Sequence, residues 1–271
     1  MLKGKNVLIT GGSSGIGFGI ACAIASQGAN VMIWGRREEN NINAKQLIKL
    51  ETMNDKQIVE TMKIDVTDED AVNKGFQHSV NILGGYISAV FANAGGGSKP
   101  VEIQNMKTKQ WRKVIQSNLD STFFTFRAAA KHMIKRGGGG TLVATSSQAA
   151  RIGDKYQTAY SAAKAGVIGL VRAMTSGLAR YEIRCHCIIP GFILSGQFQE
   201  PDMEGYELHQ QEKYGMMDAK KHPMRAIMKR LPLRKWGVPA DFGGLAIYLV
   251  SDGSKYHTGD EFTIDGGYSR M

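Results

Sequence analysis

Short apolar runs alternate along the chain with longer segments in which apolar residues recur at helical spacing. The apolar runs predict β-strands at residues 7–9, 31–34, 58–64, 87–92, 141–145, 184–189 and 261–264. The periodic segments predict helices at residues 15–27, 42–53, 70–83, 158–180 and 240–250, and two more across 107–136. Strands that alternate with helices form right-handed crossovers, so the pattern predicts an α/β fold. We expect a doubly wound parallel sheet of about seven strands with helices on both faces.

The order of the predicted elements indicates one domain over residues 1–271, because no stretch has the composition of a linker and no tandem repeat is present. The four glycines at 137–140 predict a tight connection from helix to strand. Residues 192–237 form a long, irregular segment rich in methionine. This segment is either an adaptable apolar cover over a substrate or a helical pair packed on the core or on a neighbouring subunit.

A glycine-rich turn joins the first predicted strand to the first predicted helix, with the sequence Thr-Gly-Gly-Ser-Ser-Gly-Ile-Gly at residues 10–17. A helix start offers free backbone N–H groups and the positive end of the helix dipole, which suit a pyrophosphate. Side chains would block that approach, so such a turn requires glycine. The alternative is an ordinary glycine-rich turn. A strand before it and a helix after it favour a dinucleotide site at the carboxyl end of the sheet.

Tyr160 and Lys164 lie four residues apart in a predicted helix and so share one face. Free tyrosine has a pKa of about 10 and is a poor base near neutral pH. A nearby ammonium favours the phenolate, so we expect Lys164 to lower the pKa of Tyr160. A tyrosine adjusted in this way can pass a proton to or from a substrate oxygen. The alternative is a partly buried tyrosine beside a surface lysine.

Further short motifs follow predicted strands or lie between predicted helices. They are Asp65-Val66, Asn93-Ala94-Gly95, Asn118, Ser147, Pro190-Gly191 and Asp265-Gly266-Gly267. Together with the TGxxxGxG form of the turn and the YxxxK pair, this set resembles the short-chain dehydrogenase/reductase family from Lys3 to Tyr268. The resemblance implies a single-domain Rossmann-type fold and an oxidoreductase of carbonyl or alcohol groups.

The resemblance also implies roles for single residues. Tyr160 would be the general acid/base, and Lys164 would lower its pKa and hold the nicotinamide ribose. Ser147 would stabilise charge on the substrate oxygen, and its spacing to Tyr160 favours it over Ser146. Asn118 would hold a water that links Lys164 to bulk solvent. The implied cofactor contacts are Gly11, Ser13, Ser14, Gly15, Ile16, Gly17, Arg36, Arg37, Asp65, Val66, Asn93, Ala94, Gly95, Tyr160, Lys164, Pro190, Gly191, Ile193 and Ser195.

Two positions depart from the family pattern. Ser195 stands where the family usually has a threonine that meets the carboxamide, and it keeps the hydroxyl. His186 stands where the family often has asparagine. We expect His186 to be a core or surface histidine and not a catalytic one.

The end of the second predicted strand bears on the choice between NADP and NAD. An acidic residue there would bind the ribose 2′-hydroxyl and repel a 2′-phosphate. Gly35 occupies that place, and Arg36 and Arg37 follow, which suit a phosphate. The alternative is two solvated arginines at a helix start. The sequence therefore predicts NADP as the preferred cofactor, with NAD as the second choice.

Composition and charge argue against several classes of protein. Hydrophobic residues make up 42% and charged residues 21% of the chain, as in soluble globular proteins. No stretch approaches the roughly 20 apolar residues of a membrane helix, and residues 1–6 do not resemble a signal peptide. The net charge of +10 is spread along the chain, which favours an anionic cofactor or substrate over nucleic acid.

The three cysteines predict no disulfide framework, so a reducing cytoplasm is the expected compartment. Cys185, His186 and Cys187 resemble a fragment of a metal site. However, alternate residues of a strand share one face, and no further cluster completes a ligand set. We therefore expect no metal.

The expected substrate is a small carbonyl or alcohol compound, with an acidic or acyl-carrier-linked group as one option. The basic residues considered for that group are Arg151, Lys155, Lys220, Lys221, Arg225, Lys229, Arg230 and Arg234. Small residues on the helix at 158–180 allow close helix contact, and the resemblance then favours a homotetramer. The alternative function is a dinucleotide-binding redox sensor or scaffold without turnover. Such a protein has no need of all four of Asn118, Ser147, Tyr160 and Lys164.

Overall fold

A computed structural model describes residues 1–97, 99–194 and 230–270 of the chain. The strands are β1 (Asn6–Thr10), β2 (Asn30–Gly35), β3 (Val59–Lys63), β4 (Ala89–Ala92), β5 (Gly140–Thr145), β6 (Ile183–Pro190) and β7 (Glu261–Ile264). They form a sheet in the order β3-β2-β1-β4-β5-β6-β7. Every neighbouring pair is parallel. The predicted α/β class and parallel sheet are therefore confirmed.

The helices lie between the strands, as the alternating pattern predicts. They are α1 (Gly15–Ala25), α2 (Glu38–Leu50), α3 (Glu69–Ile82), α4 (Thr108–Ile115), α5 (Ser121–Arg136), the short α6 (Ala149–Ile152), α7 (Thr158–Leu178) and α8 (Gly243–Val250). A π-helical segment, Gln116–Asp120, joins α4 to α5 without a break. The predicted start of α2 at residue 42 was wrong, because Glu38 and Glu39 already form its first turn. Acidic residues suit that position because the helix dipole is positive there.

Apolar side chains cover both faces of the sheet. In β1, Leu8 belongs to a cluster on one face, whereas Val7 and Ile9 belong to a cluster on the other. All three are fully buried. Strands buried on both faces need helices on both sides, so the predicted layering is confirmed.

The strand order changes direction between β1 and β4, and such a switch point opens a crevice at the carboxyl ends of the strands. The hydroxyl of Thr10, at the end of β1, accepts hydrogen bonds from the backbone N–H groups of Asn93 (3.1 Å) and Ala94 (3.0 Å). These bonds hold the two strand ends together at the crevice.

Only the ends of the irregular segment at 192–237 belong to the described residues. Ile193 pairs with Gly237 in an isolated parallel bridge. Residues 195–229 lie outside the described part of the chain, and with them Ser195, Lys220, Lys221, Arg225 and Lys229. The single domain and the substrate cover therefore stay predictions. Within the described residues, no helix is both long and apolar enough to span a membrane.

Candidate active site

The glycine-rich turn after β1 is shaped by the close approach of its own backbone. Gly11 (φ +66°) and Gly15 (φ +54°) adopt left-handed conformations that favour glycine. A Cβ atom on Gly17 would lie 2.3 Å from the Gly11 carbonyl oxygen and 2.6 Å from Asn93 Nδ2. The turn and the first turn of α1 can therefore pack only if position 17 has no side chain.

The N-terminus of α1 has the properties of an anion site. No acidic residue lies in its first turn, and the Ser14 side chain makes no capping hydrogen bond. The first backbone N–H groups of a helix have no partner within the helix, and its dipole is positive there. A pyrophosphate would satisfy these groups without the insertion of a side chain.

Beyond the turn, Asn41 closes the space beside the end of β2. A Cβ atom on Gly35 would lie 2.2 Å from Asn41 Oδ1 and 2.9 Å from Ser13 Oγ. Asn41 is buried and donates from Nδ2 to the carbonyl oxygens of Gly35 (3.0 Å) and Met62 (3.1 Å). Sequence reasoning missed Asn41. The only signal was a polar residue near the start of α2.

The two arginines after β2 are exposed at the same edge. Arg37 donates to the side-chain oxygen of Asn40 from Nη2 (3.2 Å) and Nε (3.3 Å). At the end of β3, Asp65 is exposed and Val66 is buried. Asp65 Oδ1 accepts from the backbone N–H (3.0 Å) and the hydroxyl (2.8 Å) of Thr67, which fixes this corner of the crevice.

The side chain of Ser147, just after β5, interacts with the phenol of Tyr160 in α7 and acts to lower the pKa of that phenol. Ser147 Oγ also accepts from the backbone N–H of Ala149 at 3.2 Å. Ser146 points elsewhere: it is buried, and its hydroxyl donates to the Lys164 carbonyl oxygen at 2.8 Å. Of the two serines, only Ser147 therefore acts on the Tyr160 phenol.

Lys164 is buried near the ring of Tyr160. Its Nζ lies 5.6 Å from the centre of the Tyr160 ring and donates to the Thr145 carbonyl oxygen at 2.8 Å. Burial lowers the pKa of Lys164 to about 8, against a small opposing effect of the Cys187 thiol. The ammonium is thus held by one strand carbonyl within an otherwise low-dielectric setting.

The expected lowering of the Tyr160 pKa is not found. Burial raises the pKa of Tyr160 above its usual value, and the hydrogen bond with Ser147 acts in the opposite direction. The prediction failed because it counted only the charge of Lys164. Burial of the phenol is the largest influence on its pKa, and the Lys164 ammonium is directed at the Thr145 carbonyl oxygen.

Asn118 lies in the π-helical segment and is fully buried. Its Nδ2 donates to the carbonyl oxygens of Gly96 and Val114, each at 3.0 Å, and its Oδ1 accepts from the Gly96 N–H at 3.0 Å. A Cβ atom on Gly95 would lie 2.6 Å from Asn118 Oδ1 and 3.3 Å from Lys164 Nζ. Asn118 and Lys164 therefore converge on the loop that follows β4.

The loop after β6 completes the crevice. A Cβ atom on Gly191 would lie 2.7 Å from the Cα of Asp265, so this position also requires glycine. The Gly191 N–H donates to the Ile264 carbonyl oxygen at 2.9 Å. The Gln148 N–H donates to the Pro190 carbonyl oxygen at 3.0 Å, which links the loop to the residue after Ser147.

The strand residues around His186 belong to the core of the sheet. Cys185 and Cys187 belong to the apolar cluster on one face of the sheet, and both are fully buried. His186 is also fully buried, and neither ring nitrogen has a hydrogen-bond partner. Burial first, and then the charge of Arg184, lower the pKa of His186 to about 4. Among the described residues, no three His, Cys, Asp or Glu side chains are grouped to hold a metal ion.

Arg151 is one of the basic residues considered for an acidic group of the substrate, and that role stays a prediction. Arg151 is bound to Glu261 and Thr263 of β7 (2.7 and 2.8 Å), so its guanidinium is engaged within the protein. Lys155 is exposed and lies over the ring of Tyr156 at 4.5 Å. Arg230 lies over the ring of Tyr268 at 5.7 Å.

Several known proteins are similar to this chain in sequence and in structure. Residues 11–269 match the family model described as enoyl-(acyl carrier protein) reductase. The chain is 34% identical to a 3-oxoacyl-(acyl-carrier-protein) reductase of Chlamydia trachomatis, over 98% of each chain. It is 32% identical to an NADP-dependent (R)-specific alcohol dehydrogenase of Lentilactobacillus kefiri, over 99% of this chain and 98% of the other. It superposes with a TM-score of 0.83 on a short-chain type dehydrogenase/reductase from Mycobacterium marinum, at 29% identity, with 100% and 97% of the two chains covered.

Proposed function

The chain belongs to the short-chain dehydrogenase/reductase family of oxidoreductases that act on alcohol and carbonyl groups, and on this premise we propose the following reaction. The protein transfers a hydride between NADP(H) and a carbonyl or alcohol substrate, with Tyr160 as the general acid/base. One observation carries the proposal: Asn118, Ser147 and the pair Tyr160 and Lys164 come from three separate segments and converge at the carboxyl end of the sheet. A sensor or scaffold would need no such group.

The crevice fits a dinucleotide. Gly11, Gly15 and Gly17 place no side chain where a pyrophosphate would approach the start of α1, and a side chain at position 17 would collide with the Gly11 carbonyl oxygen. Lys164, the loop after β4 that contains Gly95 and the loop after β6 that contains Gly191 are the parts that would hold the nicotinamide riboside. When bound, the dinucleotide supplies the hydride donor or acceptor, and the protein supplies orientation and electrostatics.

In the direction of reduction, the Tyr160 hydroxyl donates its proton to the carbonyl oxygen of the substrate as negative charge develops there. The raised pKa of Tyr160 keeps the phenol protonated near neutral pH, which suits a proton donor. The Ser147 hydroxyl lies beside the phenol and donates a second hydrogen bond to the same oxygen. In the direction of oxidation, Tyr160 accepts the alcohol proton, and this step requires the phenolate that burial disfavours.

The preference for NADP is supported at the end of β2. No acidic side chain stands at Gly35, and Asn41 Oδ1 fills the space that such a side chain would need. Arg36 and Arg37 are exposed beside it, where a 2′-phosphate would accept charge-assisted hydrogen bonds. Turnover with NADPH and NADH at equal concentration tests the preference, and equal or better use of NADH would reject it.

The substrate and the assembly follow as coarser proposals. A screen that follows the absorbance of the reduced cofactor over ketones, sugars, steroids and acyl thioesters would identify the substrate class. Acyl thioesters are included because the chlamydial relative is named for a carrier-linked 3-oxoacyl group. We expect a homotetramer, because the small, exposed residues Ala162, Ala165 and Gly169 would let α7 pack closely against a helix of another subunit. Sedimentation velocity at several concentrations measures this state.

The role of Tyr160 is tested by Tyr160→Phe, which removes only the hydroxyl. We expect turnover to be abolished, because no other described group is placed to give the proton to the substrate oxygen. Cofactor affinity should stay nearly unchanged, since the ring and Lys164 remain. Retained turnover in Tyr160→Phe would disprove the assigned mechanism.

A further inference from the structure

A charged cluster on β7 lies outside the crevice, and its centre is Glu261. Glu261 Oε2 accepts from Arg151 Nη2 at 2.7 Å, and Oε1 accepts from Arg172 Nη2 (2.6 Å) and Nε (2.8 Å). The Glu261 side chain is only 15% exposed. Burial raises the pKa of Glu261, but the hydrogen bonds from the two arginines outweigh burial and hold it below its usual value. The carboxylate is therefore charged and doubly bound.

The two arginines belong to the two elements that carry the proposed catalytic pair. Arg151 lies in α6, which begins two residues after Ser147, and Arg172 lies in α7, the helix of Tyr160. Glu261 is the one described acidic residue bound to both arginines. The two elements are thus tied to one carboxylate on a strand.

Two further contacts attach the segment after Ser147 to the same face of β7. Arg151 Nη1 donates to Thr263 Oγ1 at 2.8 Å, and Gln148 Nε2 donates to Asp265 Oδ2. Positions 261, 263 and 265 alternate along the strand and its extension, so their side chains share a face. These contacts therefore fix residues 148–152 against β7.

We propose that Glu261 is a positioning residue: by binding Arg151 and Arg172 together, it sets the separation between the Ser147 hydroxyl and the Tyr160 phenol. The inference rests on the proposed function only for the roles of Ser147 and Tyr160. Loss of the carboxylate charge leaves two guanidinium groups that repel each other, and the more exposed Arg172 (68%) moves into water. α6 and α7 then lose their shared tether, and the contact between Ser147 and Tyr160 lengthens.

A double-mutant cycle tests the proposal with the substrate found in the screen. In the wild type, Ser147→Ala should lower kcat by about 100-fold or more. In the Glu261→Gln background, the same substitution should lower kcat at least tenfold less, because the contact is already loosened. The affinity for NADPH, measured by fluorescence, should stay unchanged in Glu261→Gln, since the glycine-rich turn lies across the sheet.

Matched variants guard against a general structural effect. Asp252→Asn removes an exposed carboxylate that binds Lys5 at 3.1 Å. We expect this substitution to leave kcat unchanged, and Ser147→Ala should lower kcat by the same factor with or without it. Arg172→Met should reproduce part of the Glu261→Gln effect. Arg172→Lys should restore the wild-type behaviour, because the positive charge returns. If Glu261→Gln does not fold, the two Arg172 variants decide the question.

A crystal structure of Glu261→Gln, or of Arg172→Met, gives a readout that needs no substrate. The distance between the oxygens of Ser147 and Tyr160 should be longer than in a wild-type structure solved in the same way. An unchanged contact, or additive effects in the cycle, would overturn the proposal for Glu261. Full activity in Ser147→Ala or Tyr160→Phe would instead overturn the proposed function, so the two failures are distinguishable.

Discussion

Gly17 illustrates how much a single missing side chain decides at this site. Position 17 faces the Gly11 carbonyl oxygen and Asn93 within α1's first turns, where even a methyl group has no room. Gly177, near the end of the exposed face of α7, has no heavy atom within 4 Å of an added Cβ. The two glycines therefore form a matched pair in helices of the same protein.

We expect Gly17→Ala to destabilise the fold by about 1–3 kcal/mol, because the turn must shift to admit the methyl group. The same shift should weaken NADPH binding by at least about tenfold, since the backbone N–H groups lose their alignment. Gly177→Ala should raise the free energy of unfolding by up to about 1 kcal/mol through helix propensity. Urea unfolding and fluorescence titration measure both effects, and unaltered NADPH affinity in Gly17→Ala would contradict the assignment of the turn.

His186 makes the stability of the protein depend on pH. Its pKa falls from 6.5 to about 4 in the folded chain, because burial among the rings of His257 and Phe262 disfavours the imidazolium. Below pH 6.5, His186 becomes protonated in the unfolded chain but stays neutral in the folded chain until the pH approaches 4. The free energy of unfolding therefore falls as the pH decreases from 6.5 towards 4, and the contribution is complete above that window.

Between pH 7 and pH 5 we expect His186 to account for a loss of at most about 2 kcal/mol in the free energy of unfolding. His186→Asn should flatten this slope, whereas His78→Asn, at an exposed position of α3, should leave it unchanged. Urea unfolding at each pH provides the values. Equal slopes in the wild type and His186→Asn would show that another group governs the acid limb.

At the scale of elements, the π-helical segment between α4 and α5 places Asn118. The wider turn lets the Asn118 amide reach both Val114 in its own helix and the Gly96 backbone after β4. Such wide turns inside helices occur frequently at functional sites. The sequence indicates two helices here, but the spacing of apolar positions does not show that they join through a π-helical turn.

Asn118→Leu should cost about 1–3 kcal/mol of unfolding free energy, because the Gly96 N–H and the two carbonyl groups lose their partners. It should also lower kcat, since the loop beside Lys164 is no longer held. Thr122→Val is the matched control: it removes one hydrogen bond to the Asn118 carbonyl oxygen (2.8 Å) and leaves the loop contact intact. Kinetics and urea unfolding of both variants separate the two effects, and full kcat in Asn118→Leu would refute the link.

At the scale of the whole molecule, cofactor binding should appear as added stability. A ligand that binds only the folded state raises the free energy of unfolding by about 2.7 kcal/mol at a concentration of 100 Kd. At one fixed concentration, we expect NADPH to raise the Tm more than NADH does. The double substitution Arg36→Ala and Arg37→Ala should reduce the NADPH effect and spare that of NADH. Arg180→Ala, which removes an exposed arginine that lies over the Tyr181 ring, should change neither. Equal shifts with both cofactors would reject the preference for NADP.

What the sequence by itself determined is local or periodic. The alternation of strands and helices, the glycine requirement at residues 11–17 and the shared face of Tyr160 and Lys164 follow from spacing, because periodicity decides which side chains lie together. The resemblance added the convergence of Asn118 and Ser147 on that helix.

Tertiary structure alone decided the rest. The pKa of Tyr160 is raised because burial depends on every element packed around the phenol. Ser146 turns away because the Lys164 carbonyl oxygen lies beneath it, and Arg151 is held by a carboxylate 110 positions later. Each of these facts depends on a distance between segments remote in the chain, and residue spacing carries no information about such distances.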